Sequence, residues 1–454
     1  AEWRCEIRAL IRLANPLILA NLGWALIAGT DLFWLARIGP EAVAAGALAL
    51  NLYQLPMIFG IGLVTACSPL IANARARRLH AVRQIRRTVH QTWWAAGLFS
   101  LLTWALLRHG EALLLALGQD KLLAARAASL LAGIQWALFP YLCFLVLRNF
   151  TSALERPYWA VAVMALAIPF NAGISWLLIF GHFGVPPLGL FGAGMANTLT
   201  TFFLFLGMAI ATIRDRQFRS YRLFGRLWVA DWPRLRIVAQ IGLPIAITLL
   251  LEATVYNGAT FLMGLFGERT LAAHAIAVQI SMPFFMVPVG IAQATAVRVA
   301  FAHGRHDRGA IGRAGWLGLA LGFGFACFAA AILLAIPGSL VGLFIDERTA
   351  GTAGVAHSAI AFLGIAAIYQ FVDAAQIIAA GALRGLQDTR TPMLIAILSY
   401  WGVGLGSGAL LASTLKIGAI GIWIGIALGL STIAGLLVAR WAYRSRLPQI
   451  RVIN

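Results

Sequence analysis

Lysine is nearly missing: Lys121 and Lys416 are the only two in 454 residues, and neither precedes Ser or Thr. A GxxxxGK[ST] phosphate loop is therefore excluded, and any uphill work by this chain must draw on an ion gradient. HExxH and GxSxG are also absent, which removes the commonest hydrolase signals. The four cysteines, Cys5, Cys67, Cys143 and Cys327, are far apart and three lie in apolar stretches, so the reading is small buried thiols without disulfides, metal or cofactor. Charge of either sign is scarce, at 11% of residues against 61% hydrophobic, and the mean hydropathy of +0.85 lies far outside the range of soluble domains. What remains is the composition of a polytopic membrane protein.

Arginine dominates the charge that is present, giving a net +19. A nucleic-acid partner would require a basic face interleaved with aromatics, and here the arginines fall between apolar runs. The run that follows Arg4, Arg8 and Arg12 is not closed by a small-residue cleavage site, so it reads as a retained helix. Segments of about 20 apolar residues recur. Twelve spans are expected, at 10–36, 42–72, 88–108, 122–147, 157–180, 189–213, 236–266, 270–300, 311–336, 353–383, 391–413 and 418–441. With both termini cytoplasmic, the inside segments hold 28 of the 35 basic residues. The outside holds Arg37, Arg108, Lys121, Arg126, Arg269, Arg348 and Lys416, the bias expected of a multi-pass membrane protein with this orientation. Proline-bearing runs, as at Pro16, Pro56, Pro140 and Pro244, are tolerable where neighbouring helices satisfy the freed backbone groups.

Sliding the second half over the first without gaps pairs Pro16 with Pro244, Gly39 with Gly267 and Gly62 with Gly290, all at one constant offset. At nearly the same offset, Gly189 and Gly192 later fall on Gly418 and Gly421. The expected fold is all-α, with two like-oriented six-helix lobes related by a pseudo-two-fold along the membrane normal, since six is an even number of crossings. The lobes are 1–213 and 236–454, joined by the basic cytoplasmic connector 214–235.

Of sixteen acids only Asp31, Glu252 and Asp373 fall well inside spans, with no span-interior Arg or Lys to pair with them. Intramembrane acids are costly and by default mark ion pathways, the bland alternative being a hydrogen-bonded contact between helices. In the repeat Trp24 stands at the Glu252 position and Ala259 at the Asp31 position, so the acids are specific to one lobe each. Tyr369, Gln370 and Gln376 share a helical face with Asp373, and Thr248 and Tyr256 flank Glu252 at one turn. Such oxygens suit a sodium ion at Glu252 and Asp373, while an apolar setting also favours proton exchange. Asp31 has Asn171 and Asn197 as candidate supports, although span-interior asparagines are more often packing contacts. Three acids without a central base favour a cationic cargo. "HGRHD" at 303–307 reads as a solvated loop and not a metal cluster.

The stretches "GTDLFWLARIGPEAVAA", "LEATVYNGATFLMGLFGERTLAAHAIA", "YQFVDAAQIIAAGALRGLQDTRTPM" and "NAGISWLLIFGHFGVPPLGLFGAGMAN" together resemble the multidrug and toxic compound extrusion (MATE) family, NorM type, over nearly the whole chain. The resemblance implies a bacterial inner-membrane antiporter that expels cationic, often aromatic drugs in exchange for sodium ions or protons by rocking two lobes; the chain is separately expected to function as a monomer. It also implies cation binding at Glu252, Asp373 and Tyr369, and coupling or substrate binding at Asp31. The stretch between Glu252 and Asp373 is slightly longer than the family pattern, at the loop near Asp346. A lipid-linked saccharide flippase of the same superfamily would share the lobes but call for basic residues in the cavity. A membrane-embedded transferase would call for a catalytic cluster that the short loops do not offer.

Overall fold

The computed structural model describes residues 2–78, 80–225, 227–264, 266–344, 353–413 and 418–446, except the side chains of 264, 268, 353 and 413. Arg226, Asp346, Arg348, Lys416 and Arg451, all within stretches read above, lie outside the described residues. Among the described residues the regular structure is helical throughout, as apolar surroundings demand of a backbone that must satisfy its own polar groups.

The first half comprises α1 (Glu2–Ile38), α2 (Pro40–Arg77), α3 (Ala81–Leu107), α4 (Lys121–Ala153), α5 (Tyr158–Phe180) and α6 (Gly189–Arg214). The second comprises α7 (Trp232–Gly264), α8 (Glu268–Gly304), α9 (Arg308–Ala335), α10 (Ala353–Gly385), α11 (Arg390–Ala412) and α12 (Ala419–Arg446). Eleven are long and apolar enough to cross a membrane singly, and α3 makes the twelfth with Gly110–Ala116 after a 59° bend. Each expected span coincides with one of these helices to within about two turns. The helices overrun the apolar segments because arginine-bearing turns continue the helix beyond the hydrocarbon, as where α1 starts at Glu2 and α12 ends at Arg446. Pro16, Pro56 and Pro244 all lie inside helices.

That overrun corrects one expectation, the lack of bases inside the spans. Arg148 lies within α4, buried, and donates to Asn21 Oδ1 at 3.2 Å. Arg384 occupies the last turn of α10, near enough to Glu252 to interact with it electrostatically. The thiols correct another: Cys67 and Cys143 are buried, whereas Cys5 of α1 and Cys327 of α9 are exposed.

By internal contacts the chain divides into Leu19–Ala246 and a unit of Ala1–Ile18 with Ile247–Asn454. Both boundaries fall inside helices rather than in the connector. Within the second unit Gly290 of α8 meets Ile18 of α1 so closely that a Cβ would stand 2.9 Å from the Ile18 nitrogen. Within the first, a Cβ on Gly62 of α2 would stand 2.3 Å from the Cα of Ala246 on α7. These two contacts are each other's images under the repeat, since the offset that carries Pro16 to Pro244 also carries Gly62 to Gly290 and Ile18 to Ala246. Gly39 and Gly267, paired by the same offset, precede α2 and α8 with φ of 143° and 101°, a region that glycine alone visits freely. Later the offset grows. Glu155 and Gln387 have φ of 59° and 61°, and the following amides reach back alike, Arg156 to Thr151 at 2.9 Å and Asp388 to Leu383 at 3.0 Å. The halves are thus the same device built twice, with a few extra residues in the second before α10.

The segment between α6 and α7 is held on α3 within the first unit. Gln91 Nε2 donates to the carbonyl of Val229 at 3.0 Å, Trp94 Nε1 to that of Leu227 at 2.9 Å, and Arg87 pairs with Asp231. Asp215 closes the C-terminus of α6 and accepts from Gln217 N and Trp159 Nε1, each at 2.9 Å. Both bonds favour its charged form and hold its pKa below the ordinary carboxylate value.

Candidate functional site

Two polar constellations stand in the apolar interior, one in each unit. In the first, Asp31 of α1 accepts from Asn171 Nδ2 of α5 at 3.0 Å and from Asn197 Nδ2 of α6 at 2.8 Å, one amide to each carboxylate oxygen. Asn171 also reaches Thr200 Oγ1 at 3.2 Å, and that hydroxyl is anchored on the carbonyl of Ala196 one turn back in α6. A carboxylate with both oxygens hydrogen-bonded to neutral amides is positioned, but its charge is not cancelled. The three residues expected to group in this half are together.

In the second unit one amide joins the two acids. Gln376 Nε2 donates to Glu252 Oε1 at 3.2 Å and to Asp373 Oδ1 at 3.1 Å, while its Oε1 accepts from the hydroxyl of Tyr400 at 3.0 Å. Ionised carboxylates only accept, so the NH2 end of the amide faces the acids, and the tyrosine hydroxyl donates to the oxygen that is left. Asp373 and Gln376 lie one turn apart on α10, at 2% and 3% exposure, Glu252 comes from α7, and Tyr400 from α11. Tyr400 stands in a π-helical stretch, Ile397–Leu405, the kind of local widening that often accompanies functional sites. Tyr256 of α7 lies one turn beyond Glu252 and packs, partly buried, against the core of this unit.

The remaining expected residues surround this core. The Tyr369 hydroxyl is hydrogen-bonded to Ser281 of α8, and its ring stacks on Trp423 at 5.9 Å, one turn from Asp373. Gln370 is buried on α10, and Thr248 is buried on α7 one turn before Glu252. Tyr400, Ser281 and Arg384 were missed by the sequence reading. Each reaches the site across helices, where no spacing in the chain points to it. The amide nitrogen of Gln376 sits where a small cation would sit, within about 3 Å of oxygens from both carboxylates. Two carboxyl groups sharing one donor in an apolar setting offer oxygens of the kind that hard cations and protons take.

The equivalent positions of the first half carry rings. Trp24 answers Glu252 by the offset that relates Pro16 to Pro244, and Tyr141 and Phe144 answer Asp373 and Gln376 by the one that relates Glu155 to Gln387. Trp24 stacks on Tyr141 at 4.3 Å and 25°, and Tyr141 on Phe144 at 6.3 Å. The same scaffold corner thus holds an aromatic triplet in one half and an acid–amide–acid triplet in the other.

Twelve helices, a duplicated scaffold and span-interior acids bridged across helices define a multi-pass membrane transporter. The profile of the MatE family matches twice, at residues 16–177 and 244–410, and the two matches begin on Pro16 and Pro244, a pair that the repeat superposes. A probable multidrug resistance protein NorM of Mesorhizobium japonicum is 46% identical over 98% of this chain and 95% of its own length. The protein of that name from Brucella suis is 45% identical over 97% and 93%. In fold, the chain is similar to the eukaryotic MATE transporter AtDTX14, with a TM-score of 0.87, 17% identity and 98% of each chain covered. It is similar also to an outward-facing multidrug resistance MATE transporter of the MOP superfamily, with a TM-score of 0.84, 19% identity, and 97% and 96% covered. This chain belongs to the MATE family of multidrug efflux transporters, among its NorM-type bacterial members. It is a transporter and not an enzyme, which removes the transferase reading.

Proposed function

We propose that this chain exports hydrophobic organic cations by alternating access, in exchange for sodium ions or protons bound at Glu252 and Asp373. The observation that carries the reading is the single amide of Gln376 shared by the two carboxylates. A site of this kind is electrically unsatisfied without a cation, and a cation bound there displaces the amide. Tyr400 keeps a hydrogen bond on the amide oxygen and steadies the exchange. Tyr369, with Tyr256, Gln370 and Thr248 around it, completes the polar surface on which the ion is handed over. Asp31, with Asn171 and Asn197, serves the first half as a coupling or substrate group for a positively charged cargo. Export of drugs accords with the names of the relatives, multidrug resistance proteins. The distribution of 28 of the 35 basic residues supports an orientation with both termini cytoplasmic, the bacterial NorM relatives point to the inner membrane, and we take the working unit to be a monomer.

The test is ethidium transport by the full chain in proteoliposomes, with a sodium or a proton gradient imposed one at a time. Asp373→Asn is expected to insert and fold yet to lose gradient-driven efflux. Wild-type rates from that variant under either gradient would remove Asp373 from the coupling site. Collapsing each gradient in turn on the wild type assigns the coupling ion.

A further inference from the structure

The first three turns of α1 sort their charges by face. At about 100° per residue, Glu2 and Glu6 lie about 160–200° around the helix from Arg4, whereas Arg4, Arg8 and Arg12 fall within an arc of about 80°. The acidic side is spent inside the protein: Arg298 of α8 grips Glu6 with two bonds of 2.7 and 2.6 Å, and Arg313 of α9 reaches Glu2 at 3.0 Å. These ion pairs fix the rotation of the helix and so determine what the other side presents. On that side Arg4 and Arg8 are exposed and make no ion pair among the described residues. With Ile7, Ile11 and Arg12 they form an open groove along one side of the helix.

The basic face runs into a mainly apolar one. Ile11, Leu19 and Leu26 are exposed and fall within about 80° of each other on the same stripe, opposite Asp31 at about 180° from Arg4. Asn15, also exposed, is the one polar side chain between Arg12 and Leu19 on this stripe, less than one turn below the arginines. A 37-residue helix is about 55 Å long, against roughly 30 Å of hydrocarbon, so this stripe passes from lipid tails into the headgroup layer along α1. Trp3, exposed at the polar end, is the residue type that settles at that level.

We propose that this face binds an anionic phospholipid, with the phosphate held by Arg4 and Arg8 beside Arg12 and an acyl chain lying along Ile7, Ile11 and Leu19. Guanidinium forks match phosphate oxygens, and a net-negative headgroup is favoured because a zwitterionic one brings its own cation to the phosphate. The amide of Asn15, between the phosphate level and the apolar track, stands at the depth of the ester carbonyls and can donate to one. A free anion would use the arginines but not the apolar track below them. None of these residues belongs to the acid sites, so the proposal stands apart from the coupling mechanism.

Intact-complex mass spectrometry of the delipidated full chain, titrated with phosphatidylglycerol or phosphatidylcholine, tests this directly. The wild type is expected to retain phosphatidylglycerol and to prefer it clearly. Arg4→Gln with Arg8→Gln should weaken it roughly 25-fold, at about fivefold per arginine near the surface. Arg8→Glu alone should act in the same direction, and Arg216→Gln with Arg219→Gln in the connector should leave retention unchanged. Unchanged retention by both α1 variants overturns the site. Equal retention of phosphatidylcholine reduces it to ordinary annular lipid, and displacement by millimolar inorganic phosphate makes it a soluble-anion site instead, so either result also refutes the proposal.

Discussion

Replacing Gln376 by Met keeps the length of the side chain and removes the shared donor. Its bonds of 3.2 and 3.1 Å leave the two carboxylate oxygens no more than about 6 Å apart, where two full charges at an effective dielectric near 20 repel by about 3 kcal/mol. The amide offsets part of this repulsion only while no cation is bound, because cation and amide compete for the same oxygens. At the average of about 0.6 kcal/mol for a hydrogen bond between membrane helices, applied to the cross-helix bond to Glu252 and equally to the bond to Asp373 within α10, losing the two raises the cation-free state by about 1.2 kcal/mol. Apparent affinity for the coupling cation should then rise roughly sevenfold, with a ceiling near 300-fold at about 1.7 kcal/mol per bond. Release becomes slower by the same cause, and maximal turnover falls. The assay is ethidium efflux from proteoliposomes against concentration of the coupling ion, reading half-saturation and maximal rate separately. A half-saturation concentration that is unchanged or higher, in a variant that unfolds at the wild-type temperature, would refute the competition between amide and cation.

Asn197→Leu removes the 2.8 Å bond to one Asp31 oxygen and should lower drug efflux several-fold, with Asn171→Leu acting alike, as measured in the same vesicles; wild-type rates from both would leave Asp31 without a working environment. Gly62→Ala forces a methyl to 2.3 Å from the Ala246 backbone and is expected to cost about 1–3 kcal/mol, read as a lowered unfolding temperature, whereas Gly173→Ala meets nothing and should be silent. Asp215 contributes stability through a depressed pKa, so its contribution is complete above the ordinary carboxylate value of about 4 and is lost as pH falls through the lowered one. Asp215→Asn should therefore lower the neutral limb of a pH–unfolding profile, converge on the wild type at acid pH, and so flatten the acid limb.

The spans were legible because each must supply about 20 apolar residues, and the repeat was legible because glycine and proline positions answer to backbone geometry. Asp31 with its two asparagines could be read for a related reason: polar groups inside spans are few, so those of one half find each other. Tyr400 could not. It lies on the helix after Asp373, in π-helical turns that rotate it off any regular periodicity, and its bond to Gln376 is made across the bundle. The lack of interior bases failed at Arg148 and Arg384 because hydropathy ends a span where charge begins, whereas the helix itself continues. Tyr369 was placed correctly one turn from Asp373, but the stacking on Trp423 that orients its ring, and the bond to Ser281, come from other helices.

The aromatic triplet Trp24–Tyr141–Phe144 has a consequence for how a duplicated protein uses its two copies. Had both halves kept the acid triplet, each chain would carry two exchange sites, and loading one would raise the electrostatic cost of loading the other. With rings in one copy, that corner has the same packing at any ion concentration. On the proposed function, ion exchange at this corner is then confined to the second half, while the first presents a fixed frame there and carries its own acid elsewhere, at Asp31. The two copies of one scaffold thus divide the labour at this corner: one holds charge, and the other holds permanent packing.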